Sequence, residues 1–232
     1  MVLKEFIDTI LAKLSGGVQS DDRQIHPRLV YNTMLPIRSR LISQKINKKQ
    51  KISDWTYQIV PCIKLIEVDS SLCPCLPPRG CSVLRSEKKI PKPLSGLTFM
   101  AIAGLYSVDM QVRYQYTTQT EFTRSKGGKY TGNTKKGRYI INDEYLYLYG
   151  EDLPEYVVFK AILYDPLKAW EFISACPDPD APGSSLCQNP LEEEFQIDAD
   201  LEDTLVELTL NRFLEKFKAE ELDLIANNAM PK

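Results

Sequence analysis

His26 is the only histidine in the 232 residues. It stands beside Pro27, and no Cys or Asp arrangement near it resembles a nucleophilic site. This argues against chemistries that need a histidine base, and a capping or contact role suits His26 better. Long apolar runs are missing too. The best stretch, 94–108, is too short and too broken by glycine to span a membrane. The opening segment MVLKEFIDTILAKL carries Glu5 and Asp8 within its apolar run. It lacks a small-residue cleavage site, so it does not read as a signal peptide. The expected compartment is the cytosol, or a particle assembled there, with no membrane partner.

Phosphate-loop chemistry is equally absent. Lys126-Gly127-Gly128-Lys129 and Thr134-Lys135-Lys136-Gly137 lack the longer glycine-rich run ending in Lys and Ser/Thr. The carboxylates of Glu192-Glu193-Glu194 and of 198–203 fall in a polar linker and a helix start, whereas acid/base work needs a cleft that raises a pKa. Cys73-Pro-Cys75 with Cys81 resembles part of a zinc site, but the usual spacings are not met. Without a signal peptide, free thiols are the expectation for all six cysteines, Cys62, Cys73, Cys75, Cys81, Cys176 and Cys187. A disulfide formed after release into an oxidising environment is the minor alternative. These readings point to a non-enzymatic protein with no cofactor and no metal.

What is present describes a folded, soluble chain. Apolar residues are 43% and charged residues 26%, too apolar for general disorder. The length allows one core, or a core with a smaller subdomain. Tyrosine, at 12 residues, suits both interfaces and ordinary strands. The net charge of -2 hides segregation. Residues 21–51 hold eight Lys/Arg against two Asp, and residues 124–138 hold six Lys/Arg and no acid. From Cys176 to the end there are fourteen Asp/Glu against four Lys/Arg. Such segments can neutralise each other within one subunit or head to tail between neighbours.

Apolar spacing predicts a helix over 2–14 through Leu3, Phe6, Ile7, Ile10, Leu11 and Leu14, ended by Gly16-Gly17. A second helix is expected from Ser20, its cap, with apolar positions Ile25, Leu29, Met34, Ile37, Leu41 and Ile46. Pro36 should kink or split it. Strands are expected at 56–59 and 63–68, divided by Pro61, then at 97–105 and 108–118. A hairpin turning at Asn142-Asp143 joins 139–141 to 145–149, and a further strand covers 156–164. Asp165-Pro166 opens a short helix through Ile173. A last helix begins near Asp200, its cap, and reaches about Lys218. The fold class is therefore α+β, with a mainly antiparallel sheet or small barrel or sandwich in the middle and amphipathic helices at both termini. The regions are an N-terminal helical part, 1–52, a β-rich centre, 53–175, with the basic loop 124–138, and an acidic linker and helix, 176–232.

Several residues carry a resemblance. Ser20-Asp21-Asp22-Arg23 is followed by Pro27, Leu29, Val30 and Ile37-Arg38, then by a β middle. The run Ile197-Asp198-Ala199-Asp200-Leu201-Glu202-Asp203-Thr204-Leu205-Val206-Glu207-Leu208 opens an amphipathic helix. The chain resembles the neck proteins of tailed bacteriophages, most closely the connector or ring proteins of crAss-like phages of gut Bacteroidales. The resemblance implies a structural virion protein, assembled in the host bacterial cytoplasm and placed in the neck and tail region. It implies a homo-oligomeric ring, commonly of about twelve copies, joining portal and tail and extending the DNA channel. Portal, other neck and tail proteins, and packaged DNA are the implied partners.

Residue chemistry then selects candidate contacts. For subunit interfaces these are Arg28, Tyr31, Arg38, Arg40, Leu201, Leu205, Leu208 and Phe213. For a partner or DNA they are Arg124, Lys126, Lys129, Tyr130, Lys135, Lys136 and Arg138, where cations could lie on a phosphate backbone and tyrosine could stack on bases. The same loop could bind the acidic end of another subunit. A nucleic-acid-binding accessory protein, or another virion protein of tail or capsid, remains the alternative.

Overall fold

Apolar residues spaced three and four apart fold Leu3–Leu14 into helix α1, which buries Leu3, Phe6, Ile7 and Ile10. Glu5 Oε2 reaches back to accept from the Val2 N–H at 3.0 Å, satisfying one of the helix's orphan donors. The computed structural model describes residues 1–15, 25–68, 83–94, 101–118, 137–149, 153–175 and 190–228. Its two compact units are Met1–Thr56 with Cys187–Lys232, and Tyr57–Leu186.

The first unit is helical. Helix α2 spans Pro27–Asn47 and α3 spans Ala199–Asn228; the two pack on each other, and α1 packs on both. The chain's start is tied down by a short antiparallel bridge, with Leu3 N–H donating to Glu193 O at 2.9 Å and Phe195 N–H to Met1 O at 3.1 Å. Phe195 is fully buried, edge-on to Phe6 at 5.5 Å and to Tyr31 at 6.3 Å. Buried Leu205, Val206 and Phe213 supply the inner side of α3.

The helix starts correct two expectations. The expected α2 cap, Ser20, lies outside the described residues. The helix begins at Pro27, with the His26 Nδ1 accepting from the Arg28 N–H at 3.1 Å. A proline at the first helical position costs nothing, because its missing N–H would have had no helical partner. Pro36 does not split α2, which runs through it. Val30, Leu35 and Ile42 join the expected buried positions of α2, while Leu29 stays 44% exposed. At α3 the helix starts one residue before Asp200. Asp198 stands just before it, and its carbonyl accepts from the Leu201 N–H at 2.9 Å. Among the described residues no helix is long and apolar enough to cross a membrane.

The second unit is a closed barrel. Among the described residues it comprises β1 Gln58–Val68, β2 Val83–Ser86, β3 Ile102–Ser107, β4 Arg113–Tyr116, β5 Arg138–Asn142, β6 Tyr145–Tyr149 and β7 Tyr156–Ala161. The order around it is β1-β2-β6-β5-β4-β3-β7, with β1 and β7 paired. Every pairing is antiparallel except β4 with β5. Among the described residues, closure leaves no open sheet edge to recruit other chains. Alternate residues fill the interior, including Val60, Leu65, Leu105, Tyr139, Leu148 and Phe159. Ala169 and Phe172, from the 3-10 segment Pro166–Ala175, join the same core. Asp165 caps that segment, its Oδ1 accepting from the Leu167 N–H at 3.1 Å.

Pro61 does not divide two strands. β1 runs through it, and the register shifts between Val60 and Ile63. A bulge there removes Pro61 from the ladder it could not join, and Cys62 takes φ of 51°. Cys62 is disulfide-bonded, against the expectation of free thiols. The other five cysteines lie outside the described residues. The β5–β6 hairpin pairs Asn142 with Tyr145, so its turn is Asp143-Glu144, one residue later than expected.

Candidate subunit interface

The predicted contact residues separate by burial. Arg38, Leu205 and Phe213 are 0%, 0% and 3% exposed, so they belong to the helical unit's own interior, not to the surface a neighbour could touch. Arg38 is held by Phe195 and Gln196: its Nε donates to Gln196 O at 2.9 Å, and its guanidinium stands over the Phe195 ring at 5.7 Å. Tyr31 and Leu201 are half-buried, and Arg28 and Arg40 are exposed. Leu208 is 36% exposed. Of the partner or DNA candidates, Arg124, Lys126, Lys129, Tyr130, Lys135 and Lys136 lie outside the described residues. Arg138 is half-buried at the start of β5, paired with Tyr149 on one side and Gln115 on the other.

Electrostatics organise the helical unit from inside. Lys45, in the last turn of α2, sits 2.8 Å from Asp198 Oδ2 and 2.7 Å from Asp200 Oδ1. Asp198 is 4% exposed, and its other oxygen accepts from the Ser53 N–H at 3.0 Å and the Thr56 hydroxyl at 2.6 Å. Burial pulls the Asp198 pKa up, but the bonds from Lys45, Thr56 and Ser53 outweigh it and hold the carboxyl below its usual range. Burial pulls Lys45 down, and its two carboxylate partners outweigh that and raise it. One link between the basic and acidic segments is therefore made within the subunit.

The outer sides of the two long helices differ in sign. No carboxylate occurs in Pro27–Asn47. Arg28, Leu29, Asn32 and Arg40 are exposed and, at 100° per residue, share one side of α2. The exposed residues of α3 include Asp203, Glu207, Leu208, Leu214 and Glu215, also on one side. Leu214 is 48% exposed. Among the described residues, Arg28, Arg40, Asp203 and Glu207 form no ion pair within the chain.

The barrel presents a second exposed group that the sequence reading missed. The tip between β3 and β4 carries Val108, Met110 and Val112 at 54%, 42% and 52% exposure. Asp109 braces it by accepting from the Ser107 hydroxyl and from the Gln111 N–H at 3.2 Å. The Val112 N–H donates to Ser107 Oγ at 3.0 Å. Alternation with Asp109 and Gln111 made this stretch resemble the start of a strand, and only the ladder places it beyond the sheet. Among the described residues no group of His, Cys, Asp and Glu could hold a metal ion.

Comparison with known proteins finds a family model described as phage tail ring protein 2, which matches residues 5–229. A search of curated proteins finds no match.

Proposed function

The chain belongs to the phage tail ring protein 2 family, and from that premise we propose a closed ring of about twelve copies that joins portal to tail and extends the DNA channel. The family makes the chain a structural, non-enzymatic virion protein of the neck and tail region, working as an oligomeric ring in the head-to-tail connector. This bears out the resemblance to ring proteins of crAss-like phages. In the proposed arrangement the exposed residues of α2 and α3, Arg28, Arg40 and Leu208 with half-buried Tyr31 and Leu201, make subunit contacts. The basic loop 124–138 reaches a neighbour or the channel, where its cations would meet phosphate. The helices expected at 21–46 and 200–218 serve as scaffold and subunit contacts.

The observation that supports this reading is the family match across 5–229, which takes in both helical ends and the barrel together. The test is the native mass of the purified protein, alone and mixed with portal and other neck components. A closed oligomer of about twelve copies, seated on the portal, is the expected result. A monomer that ignores every neck component and shifts DNA at low salt would overturn it in favour of a nucleic-acid-binding accessory protein.

A further inference from the structure

A ring built from one chain needs two different surfaces per copy that fit each other, because each copy meets one neighbour with one face and the next with another. The helical unit carries two such surfaces. The outer side of α2 carries no acid, with exposed Arg28, Asn32 and Arg40 beside Leu29 at 44% exposure. The outer side of α3 bears Asp203 and Glu207 beside Leu208 and Leu214, at 36% and 48% exposure. Between Ala199 and Asn211 α3 has four acids, Asp200, Glu202, Asp203 and Glu207, and no Lys or Arg. The inner sides of α2 and α3 pack on each other within the chain, so these outer sides cannot satisfy one another in the same copy.

Resting on the ring reading above, we infer that the basic outer side of α2 in one copy docks on the acidic outer side of α3 in the next. Arg28 and Arg40 face Asp203 and Glu207, and Leu29 packs among Leu208 and Leu214. The apolar residues supply contact area, while the charges set which faces meet and in what register. Identical faces repel: α2 cannot dock on α2, nor α3 on α3. That rejection enforces head-to-tail order, which a two-fold dimer would break.

Charge reversal in two separate variants tests this. Arg28→Glu with Arg40→Glu makes α2 acidic, and Asp203→Lys with Glu207→Lys makes α3 basic. All four residues are exposed, so each variant should keep the wild-type fold, read as an unchanged far-UV circular dichroism spectrum. Each alone should lose the closed oligomer, because like charges then meet at every contact. An equal mixture should recover it, since the acidic altered α2 of one variant then meets the basic altered α3 of the other, and at the next contact the two unaltered faces meet. Such a ring alternates, so native mass should show an even copy number with equal parts of each variant. The wild-type ring should also weaken at least about tenfold between about 50 mM and about 500 mM salt.

Retention of the ring by both separate variants would overturn this contact and leave the ring itself standing. So would a mixture that stays unassembled while both variants remain folded. If a variant loses its fold, a wild-type ring indifferent to salt overturns the contact on its own. A wild-type chain that forms no closed oligomer, alone or with neck components, overturns the ring arrangement proposed above and the contact with it.

Discussion

Thr56 and Asp198, 142 positions apart in the chain, share a 2.6 Å hydrogen bond. Lys45 holds the other oxygen of the same carboxylate at 2.8 Å. Three segments meet on one buried group: the end of α2, the 3-10 turn Asp54–Thr56 and the start of α3. A buried carboxylate with all its partners satisfied is tolerated, and removing any partner leaves desolvated charge behind. Asp198→Ala would strand the Lys45 ammonium, itself 12% exposed, with only Asp200. The expected cost is about 3 kcal/mol, read as a Tm lower by roughly 6–12 °C in thermal unfolding.

The same ion pair fixes a pH window. Asp198 has its pKa lowered from 3.8, so its stabilisation is present above that value and lost as pH falls through the lower folded value. Lys45 has its pKa raised from 10.5, so its share is present below that value and lost as pH rises through the higher folded one. Stability of the helical unit should therefore hold between these limits and fall on both sides. Asp198→Asn should flatten the acid limb in denaturant melts taken across pH. An unchanged acid limb would show that other carboxylates govern it.

Gly137 has no room for a side chain. A Cβ there would lie 2.6 Å from Tyr114 Cδ1 and 2.9 Å from its Cε1. Tyr114 is 7% exposed and part of the barrel core, so its ring cannot swing into solvent. Gly137→Ala should cost about 1–3 kcal/mol by overpacking. Tyr114→Ala should cost stability by cavity formation, yet the double variant should lose less than the sum. Strict additivity in a double-mutant cycle would rule out the clash as the cause.

How much of this was legible beforehand depends on how local each signal is. Helix α1 was readable because Leu3, Phe6, Ile7 and Ile10 repeat at helical spacing, and burial follows that spacing. The strand pairs beside the 142–145 turn were readable from alternation, but the turn was misplaced by one residue. Asn142 looks like turn chemistry, yet the register pairs it with Tyr145. Pro61 looked like a divider because a ladder cannot use it, and nothing local announces a bulge. The candidate interface was less legible. Arg38 read as surface because arginine usually is, whereas a distant ring and carbonyl, from Phe195 and Gln196, make burial affordable. Lys45 and Asp200 are 155 positions apart, so only the packed helices reveal their pairing.

The Asp143-Glu144 turn is strained in a way that can be relieved. Both residues have positive φ, 49° and 66°, as a two-residue hairpin with type I′ geometry requires. Asp tolerates this region better than Glu does, and glycine does so at no steric cost. Glu144→Gly should therefore stabilise the barrel by about 0.5–1 kcal/mol, despite loss of the exposed Lys89 pair at 3.6 Å. An exposed pair of that length contributes little. A lower Tm for Glu144→Gly would mean that the Lys89 contact outweighs the backbone strain.

The exposed tip at 108–112 should stay ordered through Asp109, not through packing. Its apolar side chains point into solvent, and its backbone donors are held by short-range acceptors. The Met110 N–H meets Ser107 O at 2.9 Å, and Gln111 and Val112 meet Asp109 and Ser107 side chains. Hydrogen bonds from the Ser107 hydroxyl and the Gln111 N–H lower the Asp109 pKa from 3.8. The brace is therefore present above that value and lost as pH falls through the lower folded one. Asp109→Ala should raise amide exchange at Gln111 and Val112 about tenfold or more while leaving the barrel Tm unchanged, because opening is local. The wild type should show the same loss only in acid. Equal protection in Asp109→Ala and wild type would mean that the flanking β3–β4 ladder alone holds the tip, and that a partner meeting Val108, Met110 and Val112 meets a surface ordered without the carboxylate.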